Sequence, residues 1–143
     1  MSTVDDFDYP LKGMHVLLVD DEEDGLFVGE HLLEQVGAAR IYTASNGVEA
    51  LQVLAKNAGK IDLIITDISM PEMNGWDLIT RIKLDRRNQH VSIIGLSANA
   101  LPGDREKAIS MGCDNYLTKP LTAERFRKEI VEIISDLQNK NAS

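Results

Sequence analysis

The chain has a single cysteine, Cys113, so no disulfide can form within it, and a lone thiol suits a reducing compartment. Cys113 is expected as a small buried or half-buried side chain near a helix end rather than as a reactive group. No apolar run reaches the ~18–20 residues that a membrane-spanning helix needs. The acidic start, with Asp5, Asp6 and Asp8, lacks the basic-then-apolar order of a signal peptide. The expected location is therefore cytoplasmic, with no membrane contact. Basic charge is scarce: 15 Lys and Arg stand against 23 Asp and Glu, a net charge of −8. That balance argues against direct binding to nucleic acid, whose phosphates need Lys and Arg. His15, His31 and His90 are scattered, with no second Cys or His at zinc-ligand spacing. There is neither a Gly-rich phosphate loop nor a G-x-S-x-G nucleophile elbow.

What is present fits one domain: 143 residues, 43% hydrophobic and 27% charged. Apolar runs at 14–19, 62–66, 91–96 and 114–118 read as strands, and Arg40-Ile41-Tyr42-Thr43 as a short one. Between them lie helix-length segments. Glu22 to Val36 carries Leu26, Leu33 and Val36 at near-helical spacing and stops at Gly37. Asn46 with Glu49 forms a capping-box-like start. Asn74 with Asp77 starts a third helix, striped by Leu78, Ile79 and Ile82. Pro102 and Gly112 bracket a shorter one. Thr122 caps a last helix whose apolar face is Phe126, Ile130, Ile133, Ile134 and Leu137. Five β-α repeats imply an α/β fold: a doubly wound five-stranded parallel sheet with helices on both faces, in the flavodoxin-like order 2-1-3-4-5. The expected boundaries are a flexible acidic extension at 1–12, a folded domain at 13–138 and a polar tail at 139–143.

The C-terminal ends of these strands carry the chemistry. The first run ends in Asp20-Asp21, the third in Asp67, the fourth in Ser97, and the fifth in Lys119-Pro120. Ligands bind at that edge of an open α/β sheet. With strands 1 and 3 adjacent, Asp20, Asp21 and Asp67 converge, and two carboxylates about 4 Å apart repel by roughly 4 kcal/mol at an effective dielectric near 20. A divalent cation relieves this. Hard oxygen donors suit Mg2+, with Mn2+ as a substitute. Each residue also has a plainer reading. Asp20 and Asp21 suit a helix cap, Asp67 a loop acid, Ser97 a turn hydroxyl, and Lys119 a solvated cation. Their joint occurrence at four strand ends favours a site. A carboxylate nucleophile, a metal, a hydroxyl and an ammonium are equipment for phosphoryl transfer, with Asp67 attacking phosphorus. The lack of a dedicated base favours a long-lived acyl phosphate, hence a signal, over rapid turnover.

Several motifs, taken in order, resemble the receiver domain of two-component response regulators over about residues 13–138. They are Val19-Asp20-Asp21-Glu22, Asn46-Gly47-Val48-Glu49-Ala50-Leu51, Asp67-Ile68-Ser69-Met70-Pro71-Glu72-Met73-Asn74-Gly75, Leu96-Ser97-Ala98 and Tyr116-Leu117-Thr118-Lys119-Pro120. The resemblance implies that Asp67 accepts phosphate from a phosphohistidine on a histidine kinase or histidine phosphotransfer protein. It implies Mg2+ bound directly by Asp21, by Asp20 through water or at the rim, by Asp67, and by the backbone carbonyl of Ser69. Lys119 would bind the phosphoryl group, and its bond to Pro120 is often cis in the family. Ser97 and Tyr116 fill the switch positions, and the surface of helix 4, strand 5 and helix 5 would meet an output protein. Ser69 and Asn99 would line the path of attacking water.

The chain is thus expected to be a signalling switch that catalyses only its own phosphorylation and dephosphorylation. With five residues left after 138, no DNA-binding module is expected to follow. It would be a stand-alone regulator or an excised receiver of a hybrid histidine kinase. Rival readings are an aspartyl-phosphate-forming phosphatase, a flavin carrier of the same topology, and a receiver that binds partners without phosphorylation. The phosphatase would want D-x-D-x-T after strand 1, and the flavin carrier a hydroxyl-rich loop there. Trp76 is expected to pack, and Arg81, Lys83, Arg86 and Arg87 to form a solvated face.

Overall fold

The computed structural model describes residues 9–68, 75–98 and 102–142. Five strands alternate with five helices: β1 (His15–Val19), α1 (Glu23–Gln35), β2 (Arg40–Ala44), α2 (Gly47–Lys56), β3 (Leu63–Asp67), α3 (Gly75–Leu84), β4 (Ser92–Ser97), α4 (Asp104–Ser110), β5 (Asn115–Thr118) and α5 (Ala123–Ala142). A single turn of 3-10 helix, Arg86–Asn88, follows α3. All strand pairs are parallel, in the order β2-β1-β3-β4-β5. This is the expected topology.

The pleat sends alternate side chains to opposite faces of the sheet, which divides the core in two. Leu17, Val19, Ile64 and Ile93 pack with Leu54 of α2, Leu78, Ile79 and Ile82 of α3, and Ala108 of α4. Val16, Leu18, Leu63, Ile65, Ile94, Leu96 and Leu117 pack with Leu32 and Leu33 of α1 and with Phe126, Ile130, Ile133 and Ile134 of α5. Both faces of β1, β3 and β4 are thereby covered, which is why these strands read as unbroken apolar runs. The register sets their ends level. Val19 lies beside Thr66, Asp67 beside Leu96, and Ser97 beside Thr118, so the residues that leave the sheet emerge along one edge.

Local signals act where the sequence places them, with four corrections. Asn46 caps α2, its side chain accepting from the Glu49 amide at 2.8 Å. Glu49 reaches back to the Ser45 amide and hydroxyl, and these bonds hold its carboxyl below the usual range. Gly37 ends α1 at φ +91°, a left-handed conformation that favours glycine. The first correction concerns Pro102, which lies in a turn ahead of α4. Gly103 occupies the cap position, and the helix is only Asp104–Ser110. Second, the helix cap that Asp20 or Asp21 could have supplied falls at Glu22, which makes no side-chain capping bond. Third, the extension is not loose up to residue 12. Leu11 is fully buried, its amide donates to the Val36 carbonyl at 3.1 Å, and Lys12 bridges to Ala38. Fourth, residues 139–142 continue α5 instead of forming a separate tail. Asp5, Asp6, Asp8, Ser69, Asn74 and Asn99 lie outside the described residues.

Candidate functional site

The level strand ends bring three of the expected side chains into direct contact. The Lys119 ammonium lies 2.9 Å from Asp20 Oδ2 and donates a hydrogen bond to Asp67 Oδ2 at 3.0 Å. Asp20 is 1% exposed and Asp67 6% exposed, so a single cation serves two carboxylates largely withdrawn from water. Burial works against the charge on Lys119. Hydrogen bonds to Asp20 and Asp67, and the field of both carboxylates, outweigh it and hold the ammonium above lysine's ordinary pKa. Asp20 Oδ1 accepts the amide of Glu22 at 3.0 Å, so this carboxylate also satisfies one backbone donor at the start of α1. Asp20 therefore ties the entry of α1 to the site without being the helix cap.

The remaining acids surround this pair. Asp20, Asp21 and Glu22 offer carboxylate oxygens that lie within 4.8 Å of one another, with Asp21 and Glu22 exposed. Asp67 stands outside that group and joins it through Lys119. Glu22 is the acid that the sequence reading passed over. Its carboxylate lies 3.9 Å from the Lys119 nitrogen, and the unbroken triplet Asp20-Asp21-Glu22 was the available signal. It was absorbed instead into the start of the helix. An all-oxygen donor set of this density fits Mg2+. A Cβ on Gly25 would sit 2.2 Å from Asp20 Oδ2, so glycine there lets α1 approach the carboxylate.

Ser97 is buried at the end of β4, and its backbone carbonyl accepts the Lys119 amide at 2.7 Å. The Lys119-Pro120 bond is cis. Tyr116 is buried, with its ring against Gly95 in the core beneath β4 and β5. Cys113 is buried beside it, and burial, aided by the charge of Asp114, pushes its thiol up to about 12. Trp76 packs partly buried on the same core, with the Lys107 ammonium 5.9 Å above its ring. A cavity of about 490 Å³ opens beside Lys119 between α1 and the β5-α5 turn, lined by Asp20, Glu22, Gly25, Val28 and Leu121 among others.

Residues 16–131 match the response regulator receiver domain family. The chain is a member of that family. As a receiver it is 33% identical over 121 residues to the polar-differentiation response regulator DivK of Brucella anthropi, an alignment that covers 85% of this chain and 96% of DivK. It superposes with a TM-score of 0.75 on the receiver domain of the histidine kinase CKI1 from Arabidopsis thaliana complexed with Mg2+ and BeF3−. That pair is 28% identical, covering 93% of this chain and 95% of the other. The receiver domain of Ssk1, solved with the Saccharomyces cerevisiae histidine phosphotransfer protein Ypd1, matches at a TM-score of 0.73 and 26% identity, covering 85% and 89%. The chain is therefore a receiver domain of two-component signalling, as the motifs implied. No described helix is long and apolar enough to cross a membrane.

Proposed function

We propose that Asp67 is the phosphoacceptor of this receiver and that the donor is a phosphohistidine on a histidine kinase or a histidine phosphotransfer protein. A carboxylate oxygen of Asp67 attacks phosphorus, the P–N bond to the imidazole breaks, and the acyl phosphate forms. Lys119, already within 3.0 Å of Asp67, follows the transferring group and balances the charge on its oxygens. The hydroxyl of Ser97 donates to another of those oxygens. Asp20, Asp21, Asp67 and the Ser69 backbone carbonyl would hold Mg2+, or Mn2+ in its place, and the ion would supply further positive charge there. The all-oxygen cluster and the Mg2+ complex of the CKI1 receiver support this reading. No histidine is among the described residues of the site, which favours an acyl phosphate that persists as a signal, and the chain acts on itself rather than on an external substrate.

The phosphoryl group attracts Ser97 and favours the buried position of the Tyr116 ring, shifting the population of the α4-β5-α5 surface that an output protein reads in the cytoplasm. The observation that carries the proposal is the Lys119 ammonium shared by two buried carboxylates from different strands. It is tested by transfer from a phosphorylated histidine phosphotransfer protein. Asp67→Asn is expected to abolish labelling, with unchanged circular dichroism confirming that the variant is folded. Persistent labelling of the variant refutes the assignment.

A further inference from the structure

The molecule concentrates positive charge at one place, and it lies away from the phosphoacceptor edge. Four of the chain's 15 Lys and Arg fall at Arg81, Lys83, Arg86 and Arg87, with Asp85 as the one acid among them, in a chain of net charge −8. The last turn of α3 and the 3-10 turn after it present this cluster. The turn is braced. Asp85 accepts the Arg87 amide at 3.0 Å and grips the Arg87 guanidinium through both carboxylate oxygens, at 3.1 and 2.8 Å. The acid is thereby used up on Arg87. Among the described residues Arg81 and Arg86 form no ion pair.

A leucine stands exposed beside these two basic residues. Leu84 is 78% exposed. With Leu51 of α2 and with Arg81, Asp85 and Arg86 it lines an open depression of about 530 Å³. Val48, exposed and three residues before Leu51 on the same helix, extends the apolar strip along α2. Leu84 and Val48 lie off the packed faces of their helices, which are Leu78, Ile79 and Ile82 on α3 and Ala50 and Leu54 on α2, whereas Leu51 is partly buried against the core and forms the floor of the depression. An exposed leucine flanked by unpaired cations fits a ligand that is apolar at its centre and anionic at its edges.

We propose that the α2-α3 depression docks an acidic amphipathic segment of a partner protein, one aliphatic side chain seating on Leu51 and Leu84 while flanking carboxylates pair with Arg81 and Arg86. Charge complementarity selects this occupant. A nucleic acid or polyphosphate would gain two free guanidinium contacts and face the field of a chain of net charge −8. It would also leave Leu84 uncovered. Each carboxylate pairing with an arginine across an apolar floor gains from the exclusion of water around it.

The test uses a fluorescein-labelled synthetic helix of Glu and Leu with its leucines on one face, read by anisotropy against the full chain at low salt. Two control ligands are the same peptide with Ser for Leu and a short DNA duplex. The wild-type chain is expected to bind the Glu-Leu peptide, and Leu84→Ser and the double variant Arg81→Glu/Arg86→Glu are each expected to weaken it by on the order of tenfold. Both sites are exposed, and unchanged circular dichroism of the variants confirms their folding. Amide shifts on titration are expected around Leu51 and residues 81–86. The proposal is overturned by absence of binding, by equal affinity of either variant, or by shifts elsewhere. It is also overturned by equal binding of the Ser peptide or DNA, which would mean simple attraction of polyanions. Loss of a wild-type dimer in the charge variant, on sedimentation, would replace the partner with a second copy of the chain.

Discussion

Lys119 is the residue on which the site balances. Its ammonium is the near neighbour of two carboxylates that burial would otherwise penalise, and an uncompensated buried charge is costly. Lys119→Ala is expected to lower thermal stability, and added Mg2+ to raise the melting temperature of the variant more than that of the wild type, because the cation then replaces the missing charge. Thermal melts with and without Mg2+ check this, and equal Mg2+ increments in both proteins would contradict it. Cys113 gives a pH-dependent counterpart. Its thiol is pushed from about 9 to about 12 by burial, so the folded state keeps the proton that the unfolded chain gives up. The stability carried by this group is complete below pH 9 and is lost as pH rises from 9 towards 12, by at most about 1.4 kcal/mol per pH unit. Urea midpoints at pH 8 and pH 10 are expected to fall further for the wild type than for Cys113→Ala.

At the scale of elements, the N-terminal segment makes the sharpest claim. Leu11 is wholly buried against the α1 and α5 side of the sheet. Leu11→Ala is therefore expected to cost about 2–5 kcal/mol in chemical denaturation, the range for truncating a buried leucine. A change near zero would mean that the segment is not part of the fold. Its sequence concealed this. Leu11 is an isolated leucine after Asp5, Asp6, Asp8 and Pro10, without a periodic pattern to mark it. By contrast β1, β3 and β4 were legible because burial on both faces writes a continuous apolar run. The polar end of α5 hid its length, since its last turns lack the apolar stripe that announced Phe126 to Leu137. At α4, Pro102 pointed to a helix start and the chain uses Gly103 instead. Glu22 was hidden for a different reason: one acidic residue can serve either a helix start or a site, and only its 3.9 Å approach to Lys119 separates the two.

For the whole molecule, the strand order does the assembling. Asp20, Asp67 and Lys119 are far apart along the chain, and each is ordinary by itself. The order β2-β1-β3-β4-β5 places their strand ends along one edge, so topology was the step that turned scattered residues into a candidate site. The same division of the core into two faces leaves α2 and α3 on one side, and α1 with α5 on the other. Phosphoryl chemistry and a basic docking surface can therefore occupy separate parts of one small domain. The most direct measurement is the intact mass of the purified chain after acetyl phosphate and Mg2+, followed by mapping of the modified peptide. One added phosphoryl group, carried on Asp67, is expected. No added mass, or a phosphoryl group mapped to any other residue, would contradict the account.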